Sequence, residues 1–149
     1  MSEPICRRLV DLIEHNADRL TRAWLADVKT RRETSTYHHY DETELYRRAH
    51  TVYSNLGRSI RRDTTTQDIA DEYTALGRRR FEEGFTLSEV LEALMLTRRH
   101  LWLLVLSEGL LDTAVDLHAA LDLNARVILF FDRSMYYTAL GFEQAAAGS

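Results

Sequence analysis

Histidine is the residue type in this sequence with the clearest capacity for cofactor chemistry, because its imidazole ligates haem iron and metal ions. His100, two residues before Trp102 in an apolar segment, is the first candidate for a haem ligand, and His118 is the second. His38 and His39 are adjacent, and adjacent side chains rarely ligate one ion together. A packed or surface histidine is the alternative interpretation for each. We expect neither a cofactor nor a metal site.

Other catalytic patterns are missing from the sequence. It contains no HExxH, paired CxxC, phosphate-binding loop or dinucleotide glycine fingerprint. The carboxylate pairs Glu82-Glu83 and Asp41-Glu42 are sequence neighbours, and neighbours point away from each other on a helix. We therefore predict that the protein is not an enzyme.

The charge distribution argues against nucleic acid as a partner. The formal net charge is −4, and the arginine pairs and triplets, such as Arg78-Arg79-Arg80, have acidic residues nearby in the sequence. Such a mixture predicts salt-bridged helix faces. The longest apolar run, Leu101 to Leu106, is far shorter than the ~20 residues that span a bilayer, so we expect no membrane association. The single cysteine, Cys6, forbids an intrachain disulfide and favours a cytoplasmic location.

The segment 84–111 is predicted to form the central helix. Gly84 is typical of a helix end, and Thr86 with Glu89 forms the T-x-x-E capping box that starts the next helix. Residues 101–106 are apolar on every side, and Gly109 lies near the predicted end of the helix. A helix of this kind must be covered on all sides, by other helices or by a second subunit.

The last helix, predicted from Ala114 to about Ala146, has two apolar stripes. The first stripe consists of Leu117, Leu121, Ile128, Phe131, Met135 and Phe142. The second consists of Leu123, Val127, Phe130 and Tyr137. Two stripes indicate two surfaces, one for the core of the domain and one for a partner helix. The alternative is that both face one large core.

The overall pattern predicts an all-α fold. No stretch of any length alternates polar and apolar residues, and there is one proline. We count five or six helices, the last of them long, with Asp41 to Arg62 predicted as one helix and the segment 29–40 as a polar loop. Residues 1–149 are expected to form one domain, with 143–149 as the start of a linker.

Three segments of the sequence resemble a known family. The residues that carry the resemblance are Tyr73-x-x-Leu76-Gly77-x-x-Arg80-x-x-x-Gly84-x-x-Leu87-x-Glu89-Val90-Leu91-x-Ala93-Leu94, then Arg98-Arg99-x-Leu101-Trp102, then Phe130-Phe131-Asp132. The sequence resembles the N-terminal domain of RsbR-type stressosome proteins, which is also found at the front of some bacterial histidine kinases. The resemblance extends roughly from Ala23 to Phe142.

This resemblance implies a globin-like helical bundle that binds no haem and forms a homodimer. It also implies that the long last helix leads to a C-terminal output domain or to stressosome-type partner proteins. We therefore expect a signal-sensing module in which the first stripe of the last helix, Leu117 to Phe142, supplies the dimer seam. The sequence ends at Ser149, so both an excised sensor domain and a stand-alone relative remain open.

Two other functions remain open. One is a haem-binding, globin-type gas sensor that uses His100 or His118. The other is a small-ligand pocket between helices, lined by tyrosine and phenylalanine.

Overall fold

The chain folds as a bundle of helices. The computed structural model describes residues 2–61, 64–108 and 112–149, with side chains from Arg7 onward. Within these ranges every regular element is helical, which confirms the predicted all-α class. The elements are α1 (Ser2–His15), α2 (Ala17–Val28), a 3₁₀ helix (Arg32–His38), α3 (Glu42–Ser54), α4 (Leu56–Ser59), α5 (Thr66–Glu82), α6 (Leu87–Ser107) and α7 (Ala114–Ala147). The side chain of Cys6 and the predicted helix end at Gly109 lie outside the described residues.

The predicted helix from Asp41 to Arg62 is divided into α3 and α4. The break is at Asn55, whose backbone angles are φ −114° and ψ 20°. Its side-chain amide donates a hydrogen bond to the carbonyl of Thr51 at 2.9 Å. Asparagine favours such breaks because its side chain bonds to nearby backbone in place of the helical pattern. The polar segment predicted as a loop contains the 3₁₀ helix.

The predicted helix boundaries rest on capping contacts that the structure shows. The hydroxyl of Thr86 accepts from the backbone N–H of Glu89 at 3.3 Å, and Glu89 accepts in return from the N–H of Thr86, so the capping box is confirmed. Thr113 caps α7 by accepting from the N–H of Asp116 at 3.0 Å. Gly84 adopts φ 92°, the left-handed conformation that ends α5.

The core consists of two apolar clusters. The first brings α1, α4, α5 and α7 together with the second half of α6, and the fully buried Phe131 belongs to it. The second lies among α2, the 3₁₀ helix, α3 and the first half of α6, around Trp24. The indole N–H of Trp24 donates to the carbonyl of Ala93 at 2.9 Å, and the hydroxyl of Tyr53 donates to the carbonyl of Thr97 at 2.8 Å. Two buried hydrogen bonds therefore fix α6 against its neighbours.

Helices α5 and α7 approach each other with their backbones in contact. A Cβ atom added to Gly77 would lie 2.0 Å from the carbonyl oxygen of Thr138. One added to Gly141 would lie 2.0 Å from the carbonyl oxygen of Thr74. Both glycines are buried, so the missing side chains are what permits this packing of α5 along α7.

Candidate functional site

The first candidate site is a row of exposed apolar side chains on α7. Leu117 is 52% exposed, Leu121 is 60% exposed and Ile128 is 41% exposed. Their spacing of four and seven residues places them on one face of the helix. We call these three residues the α7 stripe. All three belong to the predicted dimer seam.

The other three residues of the predicted seam lie elsewhere. Phe131 is 1% exposed and belongs to the first core cluster. Met135 is half-buried and packs against the same cluster. Phe142 is half-buried, with its ring centroid 5.4 Å from that of Phe81 in an edge-to-face contact. The predicted stripe is therefore divided between the surface and the core. The second predicted stripe lies in or against the core: Leu123, Val127, Phe130 and Tyr137.

Helix α6 has a comparable uncovered face. Met95 is 37% exposed and Leu106 is 62% exposed, and the half-buried Trp102 lies between them at spacings of seven and four residues. We call these three residues the α6 stripe. Trp102 packs in part against the first core cluster, whereas Met95 and Leu106 lie at the surface. No helix in the described ranges combines the length and apolar content needed to cross a membrane.

The candidate histidines occupy different environments. The Nε2 atom of His100 lies 2.5 Å from a carboxylate oxygen of Asp27, so this nitrogen is already hydrogen-bonded. His118 is exposed at the start of α7. The Nε2 atom of His38 lies 2.7 Å from the carbonyl oxygen of Arg31. Among the described residues, no three His, Cys, Asp or Glu side chains are placed to hold a metal ion together.

The second candidate site is a partly buried cluster of arginines and carboxylates between α3 and α5. The guanidinium of Arg48 donates to both carboxylate oxygens of Glu83, at 3.1 and 2.7 Å, to Glu44 at 3.1 Å and to the hydroxyl of Tyr40 at 3.2 Å. Arg80 donates to Glu83 at 3.0 Å. Arg48 thus uses nearly all of its hydrogen-bonding capacity, whereas Arg80 has this single hydrogen bond to the described residues.

Burial sets the electrostatics of Arg80. Its side chain is buried, at 8% exposure for the residue. Burial lowers the pKa of Arg80, and the positive charge of Arg48 lowers it further, while the carboxylate of Glu83 acts in the opposite direction. The guanidinium remains charged at every accessible pH. Arg80 is therefore a buried cation that shares its one carboxylate partner with another arginine.

A cavity of about 80 Å³ adjoins Arg80. It lies among α2, the 3₁₀ helix, α3, α5 and α6, and it is partly open to solvent. Tyr37 lines it and is 4% exposed, with its ring 4.4 Å from that of Phe85 and 6.1 Å from that of Trp24. Burial raises the pKa of Tyr37, so its hydroxyl stays protonated. This hydroxyl has no hydrogen-bond partner among the described residues.

The buried role of Arg80 differs from the sequence interpretation. The triplet of residues 78–80 predicts a salt-bridged surface, and Arg78 and Arg79 are indeed exposed. Arg80, however, lies seven residues after Tyr73 and four after Leu76, which places it on the apolar face of α5. This register is the signal in the sequence that distinguishes it from its two neighbours.

Glu89 is a second buried charged group, and it joins α6 to the 3₁₀ helix. It is 5% exposed. Besides the N–H of Thr86, its carboxylate accepts from the hydroxyl of Thr86 at 2.9 Å, from the hydroxyl of Thr36 at 2.7 Å and from the backbone N–H of Thr36 at 2.6 Å. Burial acts to raise the pKa of Glu89, but the hydrogen bonds from Thr36 and Thr86 outweigh it, and the pKa lies below its usual value.

The substitution Glu89→Gln is expected to lower the free energy of unfolding by about 1–3 kcal/mol at pH 7, because hydrogen bonds to a charged acceptor are lost. The wild-type carboxylate has a lowered pKa, so its contribution is fully present above the unfolded-state pKa and disappears as the pH falls through the folded-state pKa. Urea denaturation from pH 7 to pH 3 measures both effects. The two proteins should converge in acid, and a constant difference over that range would contradict the assignment.

Comparison with known proteins gives one family. The family model of the RsbT co-antagonist protein rsbRD N-terminal domain matches residues 18–148, which is most of the chain. The matched region contains the α6 stripe, the α7 stripe, the arginine cluster and the cavity. No curated protein and no solved structure gives a significant match.

Proposed function

Because the chain belongs to the family of the RsbT co-antagonist protein rsbRD N-terminal domain, we propose that it is a non-enzymatic sensing and interaction domain that works as a homodimer. In this proposal the dimer forms through the α6 and α7 stripes, and a signal passes along α7. Family membership supports a role in stress signalling of the stressosome kind. The observation that carries the dimer is the pair of uncovered apolar faces on neighbouring helices.

The spacing of the two stripes supports a helix-to-helix contact between copies. The α7 stripe has spacings of four and seven residues, and the α6 stripe has spacings of seven and four. Such spacings are those of helices that pack lengthwise against a partner helix. Two copies related by a twofold axis would place two α6 and two α7 helices in one four-helix contact. That arrangement would cover the face of α6 that its own chain leaves exposed.

The form of α7 supports transmission along it. It is a single helix of 34 residues, about 51 Å long at the usual rise per residue. The segment 143–149, predicted to begin a linker, is helical as far as Ala147. A continuous helix that belongs both to the core and to the proposed interface can carry a shift or rotation to an output domain or to stressosome-type partners. A position in front of a histidine kinase domain would use the same mechanism.

Sedimentation velocity of matched variants tests the dimer. Ile128 and Leu129 are adjacent and similarly exposed, at 41% and 49%, but they point about 100° apart on α7. We expect Ile128→Glu, which places a charge in the α7 stripe, to weaken dimerisation at least ~10-fold. Leu129→Glu should remain dimeric, and both variants should keep the helical circular dichroism of the wild type. A wild-type protein that is monomeric at tens of micromolar would contradict the proposal, as would equal dimerisation of the two variants.

A further inference from the structure

We propose that the cavity beside Arg80 binds a small monocarboxylate, of the size of acetate or propionate. The carboxylate would lie on the guanidinium of Arg80 and the hydroxyl of Tyr37, and the alkyl group would face the apolar wall. The cavity lies within one chain and its lining includes neither stripe. The proposal therefore does not depend on dimerisation.

The size of the cavity limits the ligand. A cavity of about 80 Å³ is roughly half the volume of an engineered cavity of about 150 Å³ that holds benzene. On that scale the cavity encloses about three non-hydrogen atoms, and because it is partly open to solvent, the rest of a four- or five-atom ligand can lie at its mouth. Phosphate esters, nucleotides and haem are far too large for it. Acetate and propionate have the required size.

The lining of the cavity determines the chemistry of the ligand. Most of the wall is apolar, including Leu45, Val52 and Leu94. The polar groups that adjoin it include Arg80, Tyr37 and Arg48. An apolar wall with a cation at one side suits a molecule that carries one negative group and a short hydrocarbon part. A fully hydrated inorganic anion would leave the apolar wall without a partner.

The donors point to a carboxylate in particular. A guanidinium presents its N–H groups in a planar fork that matches the two oxygens of a carboxylate. Arg48 is committed to Glu83, Glu44 and Tyr40, but Arg80 has used one donor, to Glu83. Arg80 and Tyr37 both line this one cavity, so a single ligand in it has both side chains around it. A carboxylate there would also supply the negative charge that Arg80 otherwise shares with Arg48.

Titration of the ¹⁵N-labelled full chain with sodium propionate tests the proposal by NMR. Amide signals of Ala93 and Thr97, which line the cavity, should shift and saturate with a Kd on the order of 0.1–10 mM, since so small a ligand cannot bind much more tightly. Propionamide has the same shape without the charge and should cause no saturable shift. Sodium chloride at equal ionic strength controls for salt. The proposal would be overturned if the shifts did not saturate at propionate concentrations up to about ten times the upper end of the expected Kd range. It would also be overturned if propionamide bound equally well.

Substitutions then locate the binding groups. Arg80→Gln should weaken propionate binding at least tenfold, whereas Arg79→Gln, which removes the same charge from an exposed position on the same helix, should leave the Kd unchanged. Tyr37→Phe removes the hydroxyl that lacks a partner and should weaken binding several-fold while the fold is retained. Should Arg80→Gln fail to fold, Val52→Phe fills the cavity from α3 and should abolish the shifts. The assignment would be overturned if folded Arg80→Gln bound propionate with wild-type affinity. It would also be overturned if the two single variants Val52→Phe and Tyr37→Phe were both folded and both bound propionate with wild-type affinity.

Discussion

Replacement of Gly77 by alanine is expected to lower the free energy of unfolding by about 3–5 kcal/mol, at the upper end of what one added methyl group costs. At an ordinary helix position, replacing glycine by alanine raises the free energy of unfolding by up to about 1 kcal/mol, because alanine is the better helix former. Here the sign reverses. The new Cβ would lie 2.0 Å from the carbonyl oxygen of Thr138 and 2.8 Å from the backbone nitrogen of Phe142. These are backbone atoms of α7, so the two helices must separate.

Thermal unfolding measures the effect, and Gly148→Ala is the matched control. The melting temperature of Gly77→Ala should fall by roughly 10 °C, given the usual slope for a domain of this size. At Gly148 an added Cβ would have no neighbour closer than 3.6 Å, so the same substitution should change little. Gly141→Ala should destabilise the protein about as much as Gly77→Ala. The double variant should lose less unfolding free energy than the sum of the two single losses, because both substitutions disrupt the same helix crossing. A Gly77→Ala protein as stable as the wild type would show that α5 and α7 are not in backbone contact.

The sequence alone did not predict this crossing. Gly77 and Gly141 are single glycines inside helical segments, and a glycine in a helix indicates only a small local penalty. Each glycine is important because of its contact with the opposite helix, and the two glycines are more than sixty residues apart in the chain. Glycines at a helix end differ in this respect. Gly84 was predictable because the signals that end α5 and start α6 lie within six residues of one another.

The two long helices illustrate what periodicity does predict. The lengths and caps of α6 and α7 follow from local patterns, and the structure confirms them at Thr86 and Thr113. Periodicity does not predict which residues of the two apolar stripes on the last helix lie in the core and which lie at the surface, since both stripes are equally apolar in the sequence. What decides it is which face α5 covers, and that depends on long-range packing. For the same reason, Phe131 lies in the core although Ile128, its neighbour in the predicted seam, is 41% exposed.

The candidate ligand site was harder to predict. It is assembled from five elements, and its central residue belongs to an arginine triplet of ordinary surface type. The helical register of Arg80 identifies it as inward-facing, but the register says nothing about a cavity beside it. The excess of hydrogen-bond donors over acceptors around Arg80 becomes visible only when α3 brings Arg48 to the same carboxylate, Glu83.

The substitution Phe131→Ala is expected to cost about 3–5 kcal/mol of unfolding free energy, because it empties a large aromatic volume from the core. Phe131 is 1% exposed, and its ring centroid lies 5.2 Å from that of Phe130 in an edge-to-face contact. Chemical denaturation followed by circular dichroism measures this loss. At temperatures where the variant stays folded, its dimerisation should be close to that of the wild type, since the side chain does not reach the surface.

The matched control for Phe131 is Ile128→Ala, one helical turn earlier on α7. Ile128 is 41% exposed, so its truncation should change the unfolding free energy of the monomer by less than about 1 kcal/mol. It should nevertheless weaken dimerisation if the α7 stripe forms the contact between copies. The two variants thus separate the core from the proposed interface, one losing stability and the other association. A stable Phe131→Ala protein that no longer dimerises would reverse the assignment and place Phe131 in the seam, as the sequence pattern predicted.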